Sequence, residues 1–236
     1  MQFRLASGPA FYVWPAPSLL NPARDCSGFV THRTRLIVMA SKRNSDLHGS
    51  APDNAPVALL LVDVINDFEF PGGSQLLRYA LPAAKRIAAL KKRCRIGGVP
   101  AVYVNDNFGK WRSDFKKLVS HCLKDDVRGH KVVELLKPDR EDYFVLKPKH
   151  SGFYSTTLDL LLEYFGAHTL FITGFTIDIC ILFTASDAFL RDYRLIIPSD
   201  CVVSQNQRDN RQALKYMQRV LDADIRLSTS IESTWI

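Results

Sequence analysis

Residues 57–63, VALLLVD, carry six apolar side chains without a break and then stop at an acid. A strand with one face in water alternates apolar and polar residues, so an unbroken run of this length reads as a strand buried on both faces, the signature of a parallel sheet covered on both sides. Strand-like runs return in VPAVYVND (99–106), YFVLK (143–147), HTLFITG (168–174), YRLIIPS (193–199) and ADIRLS (223–228). Helical spacing fills the intervals: LLRYALPAAKRIAALKKRCR (76–95), SDFKKLVSHCL (113–123), GHKVVELLK (129–137), STTLDLLLEYFGA (155–167), the stretch from Thr176 to Arg191, and RDNRQALKYMQRVL (208–221). Pro82 is placed near the first turn of its helix, where its missing N–H costs nothing. Six strands alternating with helices predict one α/β domain over residues 56–236, a doubly wound, mainly parallel six-stranded sheet with helices on both faces.

The 236-residue chain is 47% hydrophobic and 23% charged, ordinary values for a globular domain with a sizeable core. No apolar stretch approaches the roughly 18–20 residues that span a bilayer, so no membrane partner is expected. The five cysteines (Cys26, Cys94, Cys122, Cys180, Cys201) are widely spaced and form no CxxC pair, which speaks against a disulfide framework and for a reducing, cytoplasmic setting. The net charge of +7 invites a nucleic-acid reading, but residues 1–43 hold +5 of it. The remaining chain is close to neutral, so no nucleic-acid partner is expected for the domain.

Residues 1–55 differ from the rest. SGPAFYVWPAPSLLNP (7–22) scatters Pro, Gly and Ser without period, and SKRNSDLHGSAPDNAP (41–56) is a cluster of turn formers. The expectation is a disordered or extraneous extension. It lacks the apolar core of a secretory signal; its Arg content keeps an organellar transit peptide in residues 1–43 open, and Met39 is the alternative start.

In an open parallel sheet, ligands bind beyond the carboxyl ends of the strands. Asp63 ends the first strand, Lys147 ends the third, and Cys180 lies one turn beyond the fourth. A thiol near a helix N-terminus and an ammonium is shifted toward thiolate, so the sequence predicts an activated Cys180. Asp63 would exchange the proton, and the amides of the turn around Thr176 to Cys180 would face an oxyanion. That set describes acyl transfer from a small amide. Each residue also has an ordinary reading: a packed core thiol, a turn cap, a solvated loop charge. Cys201, in IIPSDCVVS, is read as core packing.

LLLVDVINDF (59–68), LKPKHSGFYSTTLDLLL (146–162) and ITGFTIDICILFTASDAF (172–189) resemble, in order, the three signature segments of the isochorismatase-like cysteine hydrolases. The family pattern is a strand ending in Asp followed by N-D-F, a Lys with S-x-F behind it, and G-x-x-x-D-x-C. The resemblance implies a Rossmann-like three-layer fold, a catalytic triad of Asp63, Lys147 and Cys180, an oxyanion hole from the amides of Thr176 and Cys180, and a cis peptide between Phe175 and Thr176. It also implies a homo-oligomer.

Relatives that cleave the vinyl ether of isochorismate typically lack the cysteine, so Cys180 favours C–N hydrolysis. Nicotinamidases carry a metal-binding D-x-H after the second strand; here the segment reads NDNFGKW (105–111), with Phe108 in the histidine's place, and no catalytic metal or other cofactor is expected. Asn107, Phe108, Trp111, Arg112, Phe153 and Tyr154 are the candidate substrate-binding residues, each with local packing as the alternative. The expected function is a metal-independent cysteine hydrolase of an amide, carbamoyl or ureido compound. The alternatives are a catalytically silent or redox-regulated binding module and an isochorismate-type vinyl ether hydrolase.

Overall fold

The computed structural model describes residues 55–107 and 114–231, and the expectations for residues 1–54 lie outside them. Six strands form one sheet: β1 (Val57–Val62), β2 (Ala101–Asp106), β3 (Tyr143–Lys147), β4 (Thr169–Phe175), β5 (Arg194–Ile196) and β6 (Val202–Val203). Their order is β3-β2-β1-β4-β5, with β6 pairing the far end of β4, and the strand pairings are parallel.

The sixth strand is not where the sequence places it. ADIRLS contributes only an isolated bridge between Ile196 and Asp224. β5 is three residues long and leaves the carboxyl end of β4 open; Val202 and Val203 fill that edge against Gly174 and Phe175. Asp224 and Arg226 pair with one another instead, Arg226 Nη2 lying 2.6 Å from Asp224 Oδ2, and Ser228 bonds to Asp200.

The helices are α1 (Gly73–Ile96), α2 (Phe115–Lys124), α3 (His130–Leu135), α4 (Leu158–Phe165), α5 (Leu182–Phe189) and α6 (Gln207–Val220). Their ends are specified locally. Asp114 caps α2 by accepting the Lys116 N–H at 2.9 Å, and Asn206 caps α6 by accepting the Asp209 N–H at 2.9 Å. α4 stops at Gly166, whose φ of 67° is the left-handed stop that glycine takes without steric cost. Pro82 is a correction: α1 starts at Gly73, which puts the proline in the helix interior. Its ring faces solvent there, and the apolar stripe Leu76, Ala80, Ala84, Ile87 and Cys94 holds the helix on the sheet across it. The expected single helix from Thr176 to Arg191 opens with a wider π-helical turn, Ile177–Ile181, before α5.

Alternate side chains of β1, β2 and β4 go to opposite cores, which is why those runs are unbroken. Ala58, Leu60 and Val62 of β1 face the side of α4, α5 and α6, with Leu162, Ala185 and Met217. Leu59 and Leu61 face the side of α1, α2 and α3, with Ile87, Phe115 and Val132. Burying a side chain of this size contributes roughly 1.5–3 kcal/mol, so a polar residue on either face of β1 would be costly. The chain runs from β1 through β2 to β3 on one side, then crosses back to β4 on the other. The crevice of such a sheet opens where the order reverses, beyond the carboxyl ends of β1 and β4.

Candidate active site

Asp63 comes directly off β1 with φ 53°, a left-handed conformation that Asp tolerates better than most residues. Its N–H donates to Val104 O at 3.0 Å, and its Oδ1 accepts the Asp106 N–H at 2.9 Å. Asn105, almost wholly buried, grips the next turn: its Nδ2 donates to Ile65 O at 2.7 Å and its Oδ1 accepts the Ile65 N–H at 3.4 Å. The end of β2 thus fixes the residue that ends β1.

Lys147, the last residue of β3, has no exposed surface. Its Nζ lies 2.9 Å from Asp63 Oδ2, 3.7 Å from Asp106 Oδ2 and 3.6 Å from Cys180 Sγ. Burial works against its charge, but the carboxylates of Asp63, foremost, and Asp106 outweigh it, so Lys147 holds its proton more tightly than an ordinary lysine.

Cys180 is carried by the π-helical turn behind β4. Thr176 starts that turn with φ 56° and ψ 62°, an uncommon conformation for a β-branched residue and one that costs about 1–3 kcal/mol. Its carbonyl accepts the Ile179 N–H at 3.0 Å. The expected cis peptide is not present: the Phe175–Thr176 bond is trans, and the left-handed Thr176 makes the change of direction. Gly174, two residues earlier, has φ 126°, and a Cβ there would sit 2.0 Å from Val62 O. Only glycine lets β4 lie this close to β1.

The ionisation of Cys180 also differs from expectation. Burial pushes the thiol up first and the negative charge of Asp63 second; the Lys147 ammonium pulls it down but does not prevail. Cys180 is therefore a protonated thiol at neutral pH, beside a carboxylate and an ammonium.

The structure brings Asp63, Lys147 and Cys180 together at the carboxyl end of the sheet. Asn107 is buried beside them and its N–H donates to Lys147 O at 3.0 Å. Phe108, Trp111 and Arg112 lie outside the described residues. Phe153 goes into the core on the α4–α6 side, with its ring 6.1 Å from that of Tyr193 and the Arg191 guanidinium 4.8 Å above it, so packing accounts for it. Tyr154 is exposed, and no described contact ties it to the trio. The groove lined by Tyr79, Arg86, Val203 and Arg211, about 360 Å³, lies between α1 and α6, and none of the trio lines it.

Two neighbours of the trio went unread in the sequence. Asp106 is a second carboxylate near Lys147. His150, exposed, brings Nδ1 to 3.9 Å from Cys180 Sγ and stacks on Phe183 at 5.8 Å. Its signal was its place in the loop between Lys147 and the S-x-F of residues 151–153, since loops at strand ends carry function. Among the described residues no group of three or more His, Cys, Asp or Glu is arranged to hold a metal ion, and no described helix is long and apolar enough to cross a membrane.

Comparison with known proteins agrees with this architecture. The isochorismatase domain model matches residues 57–225. The uncharacterised isochorismatase family protein YaaI of Bacillus subtilis (strain 168) is 40% identical over 171 residues, covering 72% of this chain and 93% of its own. The ureidoacrylate amidohydrolase RutB of Methylobacterium radiotolerans is 30% identical over 178 residues, covering 64% of this chain and 68% of its own. The crystal structure of the N-carbamoylsarcosine amidase of Thermoplasma acidophilum superposes with a TM-score of 0.57 at 32% identity, covering 75% of this chain and 98% of that one. With the domain model spanning the whole sheet and a relative at 40% identity, the chain belongs to the isochorismatase family of hydrolases.

Proposed function

We propose that the chain is a cysteine-dependent hydrolase of the C–N bond in a small amide, carbamoyl or ureido compound, with Asp63, Lys147 and Cys180 as its catalytic residues. The observation that carries this reading is the meeting of three residues from three strand ends, with Lys147 Nζ 2.9 Å from Asp63 Oδ2 and 3.6 Å from Cys180 Sγ. The bond class is supported by two relatives named as an amidase of a carbamoyl compound and an amidohydrolase of a ureido compound.

Cys180 Sγ attacks the substrate carbonyl carbon while Asp63 takes the thiol proton. A neutral thiol suits this order, because the proton leaves only as the bond forms. The negative oxygen of the tetrahedral intermediate is held by the amides of Thr176 and Cys180, an arrangement worth about 3–4 kcal/mol for one well-placed donor. Asp63 then passes its proton to the leaving nitrogen, the C–N bond breaks, and the acyl group remains on Cys180 as a thioester. Water releases the acid. Lys147 keeps Asp63 aligned and limits the cost of burying its charge.

The test is intact-protein mass spectrometry after incubation with a pool of small amides, carbamoyl and ureido compounds. An acyl adduct on Cys180 that is absent from Cys180→Ala is expected, together with release of ammonia or amine. Equal turnover by the Cys180→Ala protein would end the proposal.

A further inference from the structure

We propose that the groove between α1 and α6 is a second binding site, for a small organic carboxylate that also carries a hydroxyl or N–H donor. The site stands apart from the reaction at Cys180: Val203 lines the groove and pairs with Phe175 of β4, so the sheet edge lies between it and the turn that carries the thiol. At about 360 Å³ the groove falls within the range of roughly 300–1,000 Å³ that small-molecule sites occupy.

Its cations are unmatched. Arg86 enters from α1 and Arg211 from α6, and neither forms an ion pair among the described residues. Arg211 makes one long bond, Nη1 to Gln207 Oε1 at 3.5 Å, within its own helix. Asp200, the acid that lines the groove, gives both oxygens to Ser228: Oδ1 accepts its N–H and Oδ2 its hydroxyl, each at 2.7 Å. Two guanidinium groups at one cavity present the paired N–H donors that a carboxylate accepts.

Exposed arginines on helices are ordinary by themselves. What marks this groove is that polar groups lining it also lack partners. Ser204 is only 3% exposed, and no described residue hydrogen-bonds its hydroxyl. Asn210 also lines the groove, and its buried Oδ1 has no hydrogen-bond partner. Buried polar groups are nearly always matched, so both point to a ligand. The arginines only donate and Asn210 Oδ1 only accepts. The complement is an acid and a donor on one molecule, with an apolar body against Tyr79, Pro82 and Val203.

Isothermal titration calorimetry of the full chain tests this with three probes. 4-Hydroxybenzoate has the acid, the donor and the ring; benzoate lacks the donor, and 4-hydroxyacetophenone lacks the charge. The first should bind at one equivalent, benzoate more weakly and the ketone not at all. Arg86→Gln and Arg211→Gln, at exposed positions that leave the fold intact, should each weaken 4-hydroxybenzoate about tenfold or more. In Asn210→Ala it should bind no better than benzoate. Lys85→Gln, which removes an exposed charge of α1 outside the groove, should bind as the wild type does. No heat from 4-hydroxybenzoate up to about 10 mM overturns the proposal, and so does wild-type affinity in both arginine variants, which would place the ligand elsewhere. Equal weakening by Lys85→Gln overturns it too, as diffuse attraction to a basic chain.

Discussion

Lys147 Nζ lies 2.9 Å from Asp63 Oδ2 although their strands, β3 and β1, are separated by β2. The lysine reaches across the end of the intervening strand, and Asp106, the last residue of that strand, touches both partners through its N–H and its carboxylate. The pair is buried, so neither charge is tolerable without the other.

That mutual dependence makes the pair fragile. Lys147→Ala leaves the Asp63 carboxylate in a closed site and should cost roughly 3–5 kcal/mol of stability. Urea unfolding of the variant would show it as a lower midpoint at unchanged slope. A loss below about 1 kcal/mol would mean that water or another cation replaces the lysine.

The reactivity of Cys180 should depend on Asp63 with the opposite sign from an activated thiolate. Burial and the Asp63 charge hold the thiol up, so the wild-type protein should alkylate slowly with iodoacetamide at pH 7. Asp63→Asn removes the repelling charge and leaves Lys147 in place, so alkylation should quicken while amide turnover is lost. Slower labelling in Asp63→Asn would contradict this account of the thiol.

Gly174→Ala should be among the most damaging single-methyl changes in the sheet. The φ of 126° alone would cost a side-chain-bearing residue about 1–3 kcal/mol, and the new Cβ would lie 2.0 Å from Val62 O. Strand β4 would have to move from β1, displacing the turn that holds Thr176 and Cys180. Both melting temperature and turnover should fall, and a soluble variant with wild-type values of both would refute the close-approach argument.

His121 gives a pH-dependent tie near the site. Its Nδ1 lies 2.6 Å from Asp125 Oδ2 and its Nε2 3.3 Å from Asp67 Oδ2, linking α2 to the loop behind Asp63. The hydrogen bond to Asp125, foremost, and that to Asp67 raise its pKa above the usual histidine value. A raised folded-state pKa contributes stability that is fully present below the unfolded value of about 6.5 and is lost as pH rises through the folded value. Melting temperature should therefore decline over that window in the wild-type protein, and His121→Gln should flatten the decline. An unchanged slope in the variant would assign it to other groups.

Much of the architecture was readable because it is local or periodic. VALLLVD and HTLFITG became β1 and β4 because a strand buried on both faces takes an unbroken apolar run, and YFVLK became β3 at the sheet edge, where Phe144 stays half exposed. The sixth strand was not readable: Val202–Val203 is too short to show a period, and its place depends on the edge that β5 leaves open.

By itself the sequence determined a doubly wound sheet and the ends of β1, β3 and β4, which put Asp63 and Lys147 at strand ends and Cys180 one turn beyond another, and the resemblance of the segments around them implied the triad. Only the tertiary structure decided how those groups act on one another. The balance between burial, the Asp63 charge and the Lys147 ammonium pushes the Cys180 thiol up, and the loop behind β3 brings His150 Nδ1 to 3.9 Å from its sulfur. Electrostatic coupling depends on distance and on exclusion of water, and neither exists until strands far apart in the chain lie side by side.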